Sequence, residues 1–326
     1  MSTIDFNALL DAVAQRKNAI IIGHSHPDGD CVGSAVALAE LIEALGGKAE
    51  IFFPEPAPLR LEFLLQGRTE LPALPQALDD YDVIAVDVAS LNQFGDVQEA
   101  LRDKFSLRID HHDVGTPYTE INFADPAASA TGEIMFDLWV CAKKTGAVDR
   151  ISEKAANAIF GAISSDTGCF KYANVTSATH LRAAALLEYG VNAAEINRLL
   201  FDTKDMRTLA AEGIATRNLR LYANGAISLI TVDHADYAEG LGIKDFETAI
   251  DIARCVRGAR IAVIIKAAPV PNTYRGSLRS ADGSDVASVA KQFGGGGHIR
   301  AAGCSMYTAT AEEAANLLLA ELEKLL

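Results

Sequence analysis

The chain has 326 residues, of which 49% are apolar, and its formal net charge is -14 at pH 7. The length exceeds what one hydrophobic core usually serves, so the sequence predicts two domains. The negative charge excludes a protein that tracks along a long nucleic acid, because such binding needs a basic surface that releases counterions. A phosphate-bearing partner must therefore be small and held by a few local cations.

The N-terminal segment and the cysteines predict the cellular location. The first seventeen residues, MSTIDFNALLDAVAQRK, carry charges of both signs and no continuous apolar block. No later stretch reaches the roughly 18 to 20 apolar residues of a membrane span. The five cysteines are scattered, form no CxxC pair and are odd in number, which favours free thiols in a reducing compartment. We therefore expect a cytoplasmic protein without a membrane partner.

In the first third of the chain, predicted strands alternate with predicted helices. Apolar runs and helical periodicity predict helices at 4–16 and 32–45 and strands at 19–23, 49–53, 83–88 and 105–109. This alternation predicts an α/β fold, with a parallel sheet and helices on both faces. Sheets of this kind bind ligands at the carboxyl ends of their strands.

The rest of the chain predicts several helices and then a second, smaller α/β domain. Residues 130–200 are almost wholly helical in pattern, and a further helix at 206–221 serves as a connector. Strands follow at 226–232, 260–267, 273–280 and 302–307, with helices at 245–256, 284–292 and 311–325. We expect a catalytic domain at 1–195, a helical linker at 196–222 and a second domain at 223–326.

Four polar clusters stand where the sheet should build its site. They are His24, Asp28 and Asp30 in one loop; Asp87; Asp110-His111-His112; and Asp166 in SSDTG. A single aspartate at a strand end is usually a helix cap or a turn former, and a single histidine is more often packed than ligating. Four such clusters together favour a shared metal site, because gathered carboxylates repel one another unless cations bind among them.

The donor types indicate which metals suit the site. Carboxylate oxygens mixed with imidazole nitrogens, without a thiolate, fit Mn²⁺ well, whereas Mg²⁺ tolerates imidazole less. Zn²⁺ and Co²⁺ also suit these donors.

A glycine run and nearby arginines predict an anion-binding site in the second domain. Gly294 to Gly297 allow the backbone to come close to an anion, although a flexible turn is the simpler explanation of such a run. Arginine binds phosphate in bidentate fashion, which favours Arg279 as a ligand residue, while Arg300 has a solvated surface role as an equal alternative. The basic run at 254–260 is better explained as a solvated face.

The motifs resemble those of a known family. His24 to Ser34 (HxxPDGDxxGS), Asp87 in VDVAS, the DHH triplet at 110–112 and SSDTG around Asp166 resemble the DHH phosphoesterase superfamily. SLRS at 277–280 and GGGGHIRAAG at 294–303 resemble its DHH-associated C-terminal domain. The resemblance covers essentially the whole chain in the right order, and it is strongest to the NrnA-like group of nanoRNases and 3'-phosphoadenosine 5'-phosphate (pAp) phosphatases.

The resemblance implies a role for each matching residue. Two divalent cations are implied, with Mn²⁺ preferred and Mg²⁺ or Co²⁺ as alternatives. His24 and Asp28 would hold one cation, Asp87 would bridge, and the other cation would be held by Asp30, His111 and Asp166. His112 would face the substrate and Asp110 would support the catalytic site. Cys31 stands where the family often has Ala or Leu, and we expect it to begin a helix rather than bind metal. The phosphate or nucleotide would be bound by Arg279 and His298, to which we add Gly295, Gly296, Gly297 and Arg300.

The expected function is metal-dependent hydrolysis of short oligoribonucleotides or dinucleotides to mononucleotides, and of pAp to AMP. Cyclic-dinucleotide phosphodiesterase, exopolyphosphatase or pyrophosphatase activity, and a non-catalytic nucleotide sensor remain as alternatives. An exonuclease acting on long DNA is disfavoured by the acidic balance of the chain. A homodimer is compatible with the sequence, which leaves the oligomeric state, the substrate length and the cleavage polarity open.

Overall fold

The computed structural model describes residues 3–112 and 118–326, with the side chains of residues 238 and 239 left out. The chain forms two compact units, Met1–Thr203 and Lys204–Leu326.

The first unit is built on a five-stranded sheet with the strand order β2-β1-β3-β4-β5. All four strand pairings are parallel. The α/β fold with a parallel sheet is therefore confirmed. The strands are β1 Asn18–Ile22, β2 Lys48–Phe52, β3 Asp82–Val86, β4 Phe105–Asp110 and β5 Asn122–Ala124, and the helices are α1 Phe6–Ala14, α2 Gly29–Ala44, α3 Gln98–Leu101, α4 Thr131–Lys144, α5 Glu153–Asp166, α6 Ser177–Leu187 and α7 Ala193–Asn197.

The sheet is buried on both faces, which explains why its central strands are apolar throughout. In β1, Ile21 faces the larger core, which α2, α4 and α5 cover. Ile20 and Ile22 face the opposite side, where Phe94 and Phe105 pack against them. A 3-10 helix at Leu91–Val97 and the short α3 cover this second face.

Helices α2 and α5 lie unusually close together. A Cβ atom added to Gly33 of α2 would overlap the carbonyl oxygen of Ala158 in α5. The first turn of α2, which contains the predicted metal ligand Asp30, is buried. The missing side chain at Gly33 therefore allows this turn to pack against the core. The indole Nε1 of Trp139 donates to the carbonyl of Ala37, which fixes α4 against α2 as well.

The second unit contains a six-stranded mixed sheet with the order β10-β11-β9-β8-β7-β6. Helices α10 and α11 cover one face, and α8 and α9 cover part of the other. Of its pairings, only that of β7 with β8 is parallel. The strands are β6 Leu219–Tyr222, β7 Ile227–Val232, β8 Ile261–Ala267, β9 Thr273–Ser280, β10 Gly296–His298 and β11 Ala301–Tyr307, and the helices are α8 Met206–Asn218, α9 Ile250–Arg254, α10 Val286–Gln292 and α11 Ala311–Leu322.

Some predicted elements differ from the structure. The helix predicted at 206–221 ends at Asn218, because the next four residues pair with β7 as an edge strand. The helix predicted at 245–256 is reduced to α9, preceded by a 3-10 turn at Ile243–Phe246. The short strand β5 was not predicted. Within the described ranges, no helix has the length and apolar character needed to cross a membrane.

The close approach of α2 and α5 generates a stability prediction. Gly33→Ala should lower the free energy of unfolding of the first unit by about 1–3 kcal/mol, because the added methyl group overpacks the helix contact. Trp139, the single tryptophan, is buried in this unit, so its fluorescence during urea titration measures the effect. Gly213→Ala, at an exposed position in the other unit, should leave this transition unchanged. An unaltered midpoint for Gly33→Ala would contradict the packing argument.

Candidate metal centre and anion-binding residues

The loop after β1 brings three of the predicted ligands to the start of α2. Asp28 caps this helix, since its Oδ1 accepts from the backbone amides of Asp30 and Cys31 at 3.0 Å each. The Nε2 atom of His24 lies 3.9 Å from the same carboxylate oxygen. Asp28 therefore caps the helix, as expected of a lone aspartate, and also lies beside the other ligand candidates.

Asp30 is fully buried and strongly oriented. Its carboxylate accepts from the amides of Thr131 at 2.7 Å and Gly132 at 2.9 Å, and from the Ser34 hydroxyl at 2.9 Å. The two amides belong to the first turn of α4, where unpaired N–H groups and the helix dipole favour an anion. This arrangement directs one carboxylate oxygen toward His111 Nε2, at 3.8 Å.

Asp87 lies between the two histidine-containing groups. It follows β3 directly, is buried and has a positive φ of 59°. Its Oδ2 is 3.7 Å from His24 Nε2, and its Oδ1 is 3.7 Å from His111 Nε2. The two oxygens of one carboxylate thus face different histidines, while the Thr131 hydroxyl donates to Oδ1 at 3.0 Å.

His111 and Asp166 complete the cluster. His111 Nε2 lies 3.4 Å from Asp166 Oδ2, and its Nδ1 lies 3.3 Å from the Ala128 carbonyl. A hydrogen bond from Nδ1 to that carbonyl leaves the Nε2 lone pair facing the carboxylates, as in ligating histidines. Asp166 is the final residue of α5.

Asp110 is buried behind the cluster and orients His112. It forms an ion pair with the fully buried Arg108, and its Oδ1 accepts from the amides of His111 and His112 at 2.8 and 3.2 Å. His112 Nδ1 lies 2.8 Å from the same oxygen. Burial lowers the pKa of His112, but the hydrogen bond with Asp110 and the charge of Asp87 outweigh it and raise the pKa to about 9.

The electrostatics of the cluster fit a bound cation. Burial, together with the charges of neighbouring carboxylates, holds the pKa of Asp30 and of Asp166 well above the usual range. A cation among these oxygens reverses that penalty. Donor atoms 3.4–3.9 Å apart are close to the spacing of ligands that share one metal ion, each about 2.0–2.2 Å from it. The residues present therefore fit a divalent-metal centre.

Cys31 lies closer to this centre than the sequence indicated. It belongs to the first turn of α2, as expected. Its Sγ atom, however, forms a group with His24 and Asp87 in which the three donor atoms lie within 4.8 Å of one another. Position in the helix alone could not reveal this, because the side chain turns back toward the end of β1, against Gly23.

In the second unit, strand register aligns two predicted phosphate-binding residues. His298 pairs with Ala301 across β10 and β11, and Ala301 pairs with Arg279 across β11 and β9. Residues directly opposite in antiparallel strands share a face, so the two side chains stand on one face with a small alanine between them. Arg300 donates to the carbonyl of Ala281 and is exposed, which fits its structural alternative.

The glycine run is partly explained by strand packing. A Cβ atom on Gly295 would overlap the Gly303 carbonyl oxygen, and one on Gly297 would overlap that of Ala301. Gly296, in contrast, has open space where a Cβ would lie. Close backbone approach therefore requires two of the four glycines at 294–297 independently of any ligand.

The sequence pattern did not reveal several residues that support the site. Thr131 and Gly132 contact Asp30 through backbone amides, which leave no side-chain signature. Arg108 did carry a signal, since an arginine within an apolar strand, two residues before Asp110, should face the same side. Ser34, four residues after Asp30 on a predicted helix, was also within reach of pattern analysis.

Two family models match the chain, one in each unit. The model described as DHH family, N-terminal domain, matches residues 18–163, and the model described as DHHA1 domain matches residues 204–326. The parallel-sheet fold, the DHH triplet and the second domain define this class of protein. The chain belongs to the DHH family and carries a DHHA1 domain, which confirms the predicted resemblance.

Individual relatives and a solved structure agree with the assignment. The chain is 27% identical over 328 residues to the bifunctional oligoribonuclease and PAP phosphatase NrnA of Bacillus subtilis strain 168, covering 97% of each protein. It is 31% identical over 180 residues to the manganese-dependent inorganic pyrophosphatase of Methanocaldococcus jannaschii, covering 52% of this chain and 54% of that protein. An exopolyphosphatase-related protein from Bacteroides fragilis has the same fold, with a TM-score of 0.88 and 21% identity over 98% of this chain and 95% of that one.

Relief of carboxylate repulsion gives a measurable prediction. Asp166→Asn should raise the Tm of the metal-free protein by about 2–4 °C, because the amide removes one member of the repelling set. Mn²⁺ should raise the Tm of the wild-type chain by binding its folded form and should raise that of the variant much less. Differential scanning calorimetry with EDTA and with added Mn²⁺ measures both changes, with Asp149→Asn, at an exposed site, as the control. Equal Mn²⁺ increments in wild type and Asp166→Asn would contradict a ligand role.

Proposed function

We propose that this chain is a metal-dependent phosphoesterase that hydrolyses short oligoribonucleotides to mononucleotides and pAp to AMP. The observation that carries the proposal is the position of Asp87, whose two carboxylate oxygens each lie 3.7 Å from a different histidine. One carboxylate between two ligand groups suits a two-metal centre for phosphoester hydrolysis. The similarity to NrnA of Bacillus subtilis over 97% of the chain supports this substrate class.

The proposed ligands divide into two sets that share Asp87. His24 and Asp28 would hold one divalent cation, and Asp30, His111 and Asp166 would hold the other. Such cations stabilise negative charge on phosphoryl oxygens and lower the pKa of water. Mn²⁺ is our first choice because the donors mix carboxylate and imidazole, and one relative is named as manganese-dependent; Mg²⁺ and Co²⁺ are alternatives.

The protein side chains behind the ligands would manage the leaving group. Asp110 accepts from His112 Nδ1 and thereby leaves Nε2 as the atom that can transfer a proton. The buried Arg108 forms an ion pair with Asp110 and fixes its position, so the pair orients the imidazole. We propose that His112 protonates the leaving oxygen and that Asp110 acts by positioning it.

In the second unit, Arg279 and His298 would bind a phosphate group or the nucleotide that carries it, assisted by the backbone of Gly295, Gly296 and Gly297. Support comes from their shared face and from the open space at Gly296. Arg300 is the weakest member of this set, because its guanidinium already donates to the carbonyl of Ala281, which directly follows β9. The cytoplasm is the proposed location, as it supplies such nucleotides and keeps free thiols reduced.

Pyrophosphate hydrolysis is the second candidate. The chain shares 31% identity with a manganese-dependent inorganic pyrophosphatase over 180 residues. The SSDTGCFK segment also contains Lys171, a cation five residues after the proposed ligand Asp166. A pyrophosphatase does not require a nucleotide-binding face in the second unit, which is why the oligonucleotide function ranks first.

Asp87→Ala tests the shared ligand. We expect kcat on a dinucleotide to fall by at least about a thousand-fold, because both proposed cation sites lose a ligand. Arg279→Ala should instead raise KM and change kcat far less, since it would remove binding rather than the reacting centre. Steady-state kinetics with Mn²⁺ separates the two, and near-normal turnover by Asp87→Ala would refute the bridging role.

A substrate panel tests the assignment itself. With Mn²⁺, the protein should convert pApA and pAp to AMP faster than it hydrolyses cyclic di-AMP or pyrophosphate. Chromatographic product identification gives the rates, and the Asp87→Ala protein serves as the blank for contaminating nucleases. Preferential hydrolysis of pyrophosphate would favour the second candidate, and no turnover of any substrate would favour a nucleotide sensor.

A further inference from the structure

The second unit contains a buried lysine that the fold does not neutralise. Lys266, near the end of β8, has only 9% of its surface exposed. Across the part of the chain that the structure describes, its ammonium group makes no hydrogen bond and no ion pair. The charge of Glu247 raises the pKa of Lys266, but Glu247 forms no ion pair with it. Among the described residues, the fully buried side-chain atoms without a hydrogen-bond partner are Arg16 Nε and Asn157 Oδ1, so the Lys266 ammonium group reaches the surface, where a ligand can contact it.

Strand register surrounds this lysine with further positive charge. Lys266 stands directly opposite Arg275 in the antiparallel pair of β8 and β9. Arg279, four residues further along β9, faces the same side because side chains alternate. Like charges directly opposite each other destabilise a sheet. Burial and then the charges of Arg275 and Arg279 lower the pKa of Lys266, opposed by Glu247.

Arg275 and Arg279 stand on the open part of a sheet face, and Lys266 lies at the border of this part, beside the buried Val232 of β7. On the opposite face, Tyr274, Leu278 and Met306 are buried beneath α10 and α11. On the cationic face, the residues between the charges are small, Ser277, Gly303 and Ser305, and none of the three is buried. Small, accessible neighbours leave room for a ligand to reach the cations. Helices α8 and α9 cover the rest of this face, over Ala262 and Ile264 of β8 and over Ile230 and Val232 of β7.

We propose that Lys266 and Arg275 extend the site of Arg279 into a cationic row that binds a phosphate group of a nucleotide. The row consists of Lys266, Arg275 and Arg279. An anion placed between the opposed Lys266 and Arg275 converts a repulsive pair into two charge-assisted hydrogen bonds. In a chain with a net charge of -14, the row supplies the local cations that a small phosphorylated ligand requires. This proposal rests on the proposed function only where it names the ligand as a nucleotide.

Binding to the metal-free, full-length chain tests the row separately from catalysis. Isothermal titration calorimetry in EDTA should give a lower Kd for pAp and AMP than for adenosine or inorganic phosphate. Lys266→Met keeps the buried aliphatic stem, and Arg275→Met changes an exposed residue. Each should raise the Kd for AMP and pAp by about ten-fold, the effect of one charge-assisted hydrogen bond, and leave adenosine binding unchanged. Lys291→Met, on the exposed side of α10, is the matched control and should bind as wild type does.

The outcomes are distinct from those of the turnover assays. Unchanged Kd values in both variants overturn the row, as does wild-type binding that does not depend on the nucleotide phosphate. Inorganic phosphate that binds as tightly as AMP overturns the nucleotide as its ligand. If Lys266→Met does not fold, as judged by circular dichroism, Arg275→Met decides alone. Phosphate-dependent binding that is lost in the variants, in a protein without phosphoesterase turnover, would support the row and refute the proposed function.

Discussion

The candidate site depends on the burial of three carboxylates at the carboxyl ends of parallel strands. Asp30, Asp87 and Asp110 are each almost completely inaccessible, and a buried carboxylate is stable only beside donors or cations. Asp110 has a protein cation, Arg108, as its partner. Asp30 and Asp87 instead contact backbone amides, hydroxyl groups and histidine side chains. These groups orient the two carboxylates without supplying a permanent positive charge. Surplus negative charge therefore collects between His24 and His111, where a metal fits.

Contacts among helices α2, α4 and α5 hold the ligand carboxylates in place. The first turn of α4 points its amides at Asp30, and α4 is itself fixed against α2 through Trp139. Gly33 permits α2 to lie against α5, the helix that ends in Asp166. Ligand candidates far apart in the chain are thus carried by helices that share one tightly packed core. A change in that core moves the candidate ligands relative to one another.

The two units offer phosphate two different kinds of partner. The first unit collects carboxylates and imidazoles, which attract phosphate only through bound cations. The second unit places its cations directly on a sheet face, in Lys266, Arg275 and Arg279. Under the proposed function, this division would let an acidic chain bind small phosphorylated ligands without the basic surface that a long nucleic acid needs.

The sequence by itself determined the class of fold, the order of most elements and the family. It could do so because apolar periodicity reports burial directly, and because the clusters after strand ends mark the edge where parallel sheets bind ligands. It also named the ligand candidates that the structure gathers around Asp87, but it did not place the Cys31 thiol beside them, and it missed the supporting residues Ser34, Arg108, Thr131 and Gly132. Only the tertiary structure decided the contacts that cross between elements: the α4 amides on Asp30, the thiol beside His24, and the pairing of Lys266 with Arg275. These depend on packing and strand register, which bring together residues whose separation in the chain carries no periodic signal.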